Sequence, residues 1–287
     1  MNNTRKAWLA GAVVAAGFAL VYWPVIVKLV ADWYNDDNYS HGFLIVPIAA
    51  YLAWERRARF WSTAEKPAAF GLVVVIGSLA VLFAGILGSE LFLTRISIVG
   101  TLVGALLFLF GWQRIRVLTF PLAFLLLMIP LPAIIFNQIA FPLQLLASQF
   151  GESAMGIANV PVLREGNVLI LANTTLEVAE ACSGIRSLVS LLTLAIMLGY
   201  FSDPRGWVRT VIALSSIPVA VVTNGFRVAG TGIAAHRFGA AAAEGFFHEF
   251  SGWMVFVAAF ILMLGLQRAV TRLAPAVAQP SSVGAAV

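Results

Sequence analysis

Residues 160–188, VPVLREGNVLILANTTLEVAEACSGIRSL, interrupt a chain that is otherwise a succession of apolar runs. From Val160 to Ala179, β-branched and polar residues alternate, as in Val168-Leu169-Ile170-Leu171 and Thr174-Thr175-Leu176-Glu177-Val178. Turn signals stand at Arg164 to Asn167 and at Ala172-Asn173, so the stretch predicts a small β-hairpin element outside a bilayer. Its last part leads from Glu177 and Glu180 through Cys182 into an apolar helix. Cys182 is the only cysteine, so an internal disulfide is excluded and the thiol is free.

Around this stretch the composition sets the class. With 61% hydrophobic and 11% charged residues over 287 positions and a mean hydropathy of +0.93, the chain is far from a soluble globule, which carries about a quarter charged residues. The expected fold is an all-α polytopic membrane protein. Runs of roughly 20 apolar residues cross a hydrocarbon core, and they predict about eight transmembrane helices, near 7–30, 42–55, 69–88, 91–112, 117–135, 184–202, 206–227 and 249–267. Arg5 and Lys6 before the first run resemble a signal peptide, but the run exceeds an h-region and Trp23-Pro24 is a poor cleavage site, so it is read as a span. Residues 136–158 mix Asn137, Gln138, Gln144 and Glu152 with Phe and Leu, as an amphipathic helix at the interface does. Residues 1–273 are expected to form one integral membrane domain with an extracytoplasmic segment at about 136–182. The Ala, Pro and Ser tail at 274–287 is expected to be disordered.

The net charge of +5 does not make a nucleic-acid face, because the 18 basic residues are scattered at the ends of the apolar runs, where they act as orientation signals. Placing both termini in the cytoplasm puts Arg5, Lys6, Arg56, Arg57, Arg59, Lys66, Arg114, Arg116, Arg205, Arg209, Arg268 and Arg272 inside, and Cys182 then faces outward. Counting from the inner boundary of each late span, Cys182 lies 21 residues from Asp203, Arg227 lies 18 from Arg209, and His248 lies 20 from Arg268. Each count is roughly 27 to 32 Å of helix, about one hydrocarbon thickness. A thiol, a guanidinium and an imidazole are thus expected at the outer interface, as acyl-transfer chemistry requires.

The local pattern agrees. A helix starting near Ser183 would set Cys182 at its N-terminal edge, where free amides and the helix dipole favour a thiolate, with Arg186 one turn on. Thr223, Asn224, Arg227 and Thr231 share one polar face, and an arginine in a membrane helix marks a functional site by default. Other roles stay open. Cys182 can be a small packing residue, Arg186 and Arg227 can be interfacial anchors or partners of Glu177 and Glu180, and His248 can cap a helix. His41, in SHGF before the second span, and His236 are rival bases.

EACSGIRSL at 180–188, NGFRV at 224–228 and HEFSGW at 248–253 resemble the three motifs of the exosortase family, and YSHGFLIVP at 39–47 resembles its N-terminal signature. The resemblance implies a cysteine protease or transpeptidase of the bacterial inner membrane, from an envelope that also makes exopolysaccharide. Its partners would be membrane-anchored substrate proteins ending in a Pro-Glu-Pro-type motif, a transmembrane helix and a basic cluster. Carried over, Cys182 is the nucleophile, Arg227 the essential arginine and His248 the third member. Archaeosortases are similar but usually have arginine in the third place, so His248 points to the bacterial branch. No cofactor or metal is implied. The active site would face the periplasm, with Glu177, Glu180, Arg186, Asn224 and His41 supporting it or binding substrate.

In chemical terms a Cys182 thiolate would attack the scissile carbonyl and form a thioester, Arg227 would stabilise the oxyanion or the thiolate, and His248 would protonate the departing amine. Water or another acceptor nucleophile would then take the acyl group. The competing class is a transporter or channel with a polar path lined by Arg186, Arg227 and the histidines, and a third reading is a non-catalytic scaffold.

Overall fold

A backbone inside hydrocarbon must bond to itself, so apolar runs of this length wind into helices. The computed structural model describes residues 3–172, 174–178, 185–239 and 246–274, the side chains of residues 3–10, 185 and 246–249 excepted. In chain order it contains α1 (Asn3–Asn35), α2 (Gly42–Glu55), α3 (Arg57–Ser62), α4 (Phe70–Leu87), α5 (Leu91–Phe124), α6 (Ala133–Ile157), β1 (Val162–Glu165), β2 (Val168–Leu171), β3 (Thr175–Glu177), α7 (Ile185–Ser202), α8 (Gly206–Phe238) and α9 (Phe246–Leu273). The protein is a mostly helical, polytopic membrane protein. The tail expected to be disordered lies, after Ala274, outside the described residues.

Six stretches among the described residues are long and apolar enough to cross a membrane: 11–35, 70–87, 91–128, 133–157, 206–238 and 250–273. Eight were expected, and the difference has identifiable causes. The runs at 91–112 and 117–135 meet in one element, Leu91–Met128, broken at Gly111 (φ 79°, ψ 174°). Helix α2 has 14 residues, under the roughly 20 that a span needs, and the described apolar part of α7 is Arg186–Ser202. The segment 136–158, expected along the interface, belongs to α6, which is long enough to cross. Helix α8 does not stop near 227 but continues to Phe238, 33 residues in all, roughly 50 Å.

The chain divides into two compact units, Met1–Phe136 and Asn137–Val287. In the first, α4 lies against α5 closely enough that a Cβ at Gly71 would overlap the Phe108 amide. Leu107, Ile115 and Leu122 form a buried core there. Tyr22 of α1 is fully buried and its hydroxyl bonds the Ser97 carbonyl at 3.0 Å and the Thr101 hydroxyl at 2.7 Å. Arg95, buried on α5, pairs with Asp32, and the Trp33 indole donates to the Met128 carbonyl at 2.9 Å. Gly111 is where the connection after α3 crosses α5: a Cβ there would collide with the Lys66 carbonyl oxygen, and its positive φ suits glycine alone.

In the second unit α7, α8 and α9 pack pairwise around Leu191, Ala195, Val208, Ile212, Ala220, Ala259 and Met263. The segment expected as a hairpin has one strand more. It is an antiparallel sheet in the order β1-β2-β3, with Leu163 opposite Ile170 and Leu169 opposite Leu176. Alternation along β2 turns Leu169 and Leu171 inward onto Ala147 and Met155 of α6 and Val228 of α8. The extra turns of α8 therefore serve as a wall for the sheet. Arg164 of β1 binds Glu152 of α6 at 2.8 Å, and the Ser148 hydroxyl donates to the Gly166 carbonyl at 2.8 Å. At the turn between α7 and α8, Asp203 receives a forked contact from Arg205, at 2.9 and 2.6 Å. Arg209 donates to the Asp203 carbonyl at 2.6 Å. The hydrogen bonds from Arg205, helped by the charges of Arg205 and Arg209, hold the Asp203 carboxyl down at about 2, against the opposing effect of burial.

Candidate active site

Helix α8 is the frame of the site. Its polar face appears as the spacing requires: Thr223 and Asn224 are buried, and Arg227 is half-buried one turn further. The Thr223 hydroxyl donates back to the Val219 carbonyl at 2.7 Å, so it is satisfied within the helix. On the other side of Arg227, Phe226 meets Phe150 of α6 edge to face at 5.0 Å, and a Cβ at Gly225 would come within 2.5 Å of the same ring. Phe150 thus fixes the rotation of α8 about its axis, and with it the direction in which Arg227 leaves the helix.

That direction is towards α9. A Cβ at Gly252 would lie 3.3 Å from Nη2 and 3.4 Å from Cζ of Arg227, so the guanidinium rests where α9 has no side chain. Position 248 lies one turn earlier on the same face of α9, at the i,i+4 spacing. The Nε of Arg227 is itself buried. A guanidinium is a planar cation whose fork can meet a carbonyl oxygen or a carboxylate in a fixed geometry.

Cys182 and Glu180 lie outside the described residues. Helix α7 is described from Ile185, three positions after Cys182, and Arg186 stands half-buried in its first turn. Thr193 is buried on α7, with its hydroxyl on the Val189 carbonyl at 2.9 Å. Glu177 ends β3, exposed and opposite Val168. His236, near the end of α8, is half-buried. His41 belongs to the first unit, ahead of α2, with Nε2 3.3 Å from the Leu127 carbonyl. A carbonyl only accepts, so that nitrogen carries the proton. Burial holds the His41 pKa below its usual value, against the opposing pull of that hydrogen bond. Among the described residues no group of His, Cys, Asp and Glu could hold a metal ion.

Reading the motifs as strings of functional groups overlooks Gly252 and Phe150. The glycine stands inside HEFSGW and is visible in the sequence, but that it faces an arginine is a matter of helix packing. Phe150 carries no local signal at all.

The model of one protein family, described as a transmembrane exosortase (Exosortase_EpsH), matches residues 33–265, most of the chain. No curated protein and no solved structure matches it.

Proposed function

This chain belongs to the transmembrane exosortase family, and from that premise we propose that it is a cysteine protease-transpeptidase. It cleaves the C-terminal sorting signal of membrane-anchored proteins, a Pro-Glu-Pro-type motif followed by a transmembrane helix and a basic cluster, at the outer face of the bacterial inner membrane. Cys182, as thiolate, attacks the scissile carbonyl carbon, and the negative charge gathers on the carbonyl oxygen. Arg227 faces that oxygen. When the intermediate collapses, the carbon–nitrogen bond breaks, His248 passes a proton to the leaving amine, and a thioester remains on Cys182. An acceptor amine, or water, then takes the acyl group and the thiolate is regenerated. Asn224, Arg186, Glu180 and Glu177 are assigned to holding these groups or the substrate.

The seat of Arg227 against Gly252, one turn from position 248, supports this reading most directly. It joins two of the three motifs at the distance of neighbouring side chains. The third motif is three peptide links from Ile185, a reach of at most about 11 Å, and α7 packs on both α8 and α9. A transporter would need no thiol at this place.

The test is co-expression with a tagged protein that carries the sorting signal. Cys182→Ser is expected to abolish processing while the protein stays in the membrane. Mass spectrometry of the processed substrate should find its new C-terminus joined to an acceptor. A free carboxylate throughout would refute transfer and leave a protease; processing by Cys182→Ser would refute the cysteine mechanism itself. Labelling Cys182 with a membrane-impermeant thiol reagent from outside checks the orientation.

A further inference from the structure

Arg56, Arg59 and Arg116 line one open recess of about 430 Å³, together with Thr63, Gln113 and Val117. All belong to the first unit, and the chemistry proposed above does not use them. Two separate parts of the chain meet here: the junction of α2 and α3, and the part of α5 that follows its break at Gly111. The junction is pinned from within. Arg56 donates to the Val117 carbonyl at 3.1 Å, and Arg114, buried beside it, donates to the Thr63 carbonyl at 3.0 Å and to Glu65 at 2.8 Å.

The charge at this place is one-sided. Arg56, Arg57, Arg59, Lys66, Arg114 and Arg116 stand against Glu55 and Glu65, and Glu65 is already engaged by Arg114. No carboxylate lines the recess itself. Arg59 and Arg116 are exposed, so their forks are open to an incoming anion, and a guanidinium fork matches the oxygens of a phosphate.

The surroundings say what carries the phosphate. Trp54, Trp61 and Trp112 are 64%, 62% and 54% exposed, which for a membrane protein is the arrangement of rings lying among lipid headgroups. Arg57 sits over Trp54 at 4.4 Å and Arg116 over Trp112 at 5.6 Å, so the arginines and the aromatic rings share one level. A soluble anion would have no use for these rings. We propose that this recess binds the phosphate of an anionic phospholipid headgroup, with Arg59 and Arg116 as its principal ligands and Arg56 behind them. The acyl chains would run along the exposed apolar residues beyond the rings. Basic pockets at the ends of membrane helices are suited to such headgroups in general.

Native mass spectrometry of the full chain, released from detergent micelles, tests this with three probes: phosphatidylglycerol, phosphatidylcholine and inorganic pyrophosphate. Phosphatidylglycerol should be retained at least about fivefold better than phosphatidylcholine, and Arg59→Gln and Arg116→Gln should each weaken its retention about fivefold. Both side chains are exposed, so both variants should fold, and a thermal unfolding curve checks that they do. The preference of the wild type should also fall between low and high salt. Equal retention of the two lipids, or unchanged retention in the double variant, overturns the proposal. Pyrophosphate that displaces phosphatidylglycerol at comparable concentration overturns the lipid assignment and gives the recess to a soluble anion. The comparisons on the wild type alone decide the matter if a variant does not fold.

Discussion

Arg114 in the first unit and Arg227 in the second are both arginines of long apolar helices, and the protein treats them in opposite ways. Arg114 is enclosed. It is 7% exposed, has Phe60, Trp61 and Phe110 within 6 Å of its guanidinium carbon, and spends its donors on Thr63 and Glu65. Arg95 is buried in the same way against Asp32. Arg227 is half-buried, with a glycine in front of it where a side chain would close the space. An arginine boxed by rings and a carboxylate has no room for a further neighbour, whereas one seated against a glycine would be crowded by a single added methyl group. Hydropathy treats these arginines alike; their surroundings separate them.

The comparison can be broken most directly at Arg227. Arg227→Ala should lower the rate of substrate processing by about a hundredfold to a thousandfold, the usual loss for one oxyanion donor, with little change in thermal unfolding of the purified protein. A collapse of the fold would make Arg227 one more structural arginine. The converse experiment is Arg95→Ala. Removing one partner of a buried pair costs about 3 to 5 kcal/mol, and the partial exposure of Asp32 puts the expected loss near the lower end. Denaturation in detergent measures it, and Asp32→Asn in the same chain should recover part of the loss.

Gly252→Ala sharpens the contrast. The added methyl would sit 3.3 Å from Nη2 of Arg227, tight enough to shift the guanidinium by a few tenths of an ångström. Processing should fall by about tenfold, within the range expected when a catalytic group is misplaced, while stability stays near that of the wild type. An unchanged rate would mean that the seat of Arg227 is loose. The smallest effect belongs to the turn between α7 and α8. The Asp203 carboxyl is held at about 2, below its ordinary value of about 3.9, so its contribution to stability is complete above the ordinary value. It is lost as the pH falls towards 2. Unfolding midpoints should therefore be insensitive to this group between about pH 5 and 8, and Asp203→Asn should lower them slightly throughout that range.

The candidate site was proposed from single residues. A lone cysteine before an apolar helix, and an arginine spaced by turns from Asn224 and Thr223, stand out wherever charge and polarity are rare. The span pattern was harder to read. Hydropathy could not reveal that Gly111 joins two runs into one element, because the Lys66 carbonyl that presses on it comes from a distant part of the chain. Nor could it extend α8 to Phe238: the turns beyond Arg227 are only moderately apolar, and they are helical where Val228 and Gly232 pack against Met155 and the sheet. The same core shows why the turn signals around Ala172 open a third strand instead of ending a hairpin.

By itself the sequence determined that this is a helical membrane protein of the exosortase family and which few polar residues its apolar helices carry. Those features follow from composition and from spacing along one helix, and both are local. Which arginine is walled in and which is left facing a glycine, and which helix outgrows its span to support a sheet, only the tertiary structure decided. Those outcomes depend on which side chains arrive from elsewhere, and close packing admits one such arrangement and excludes its neighbours.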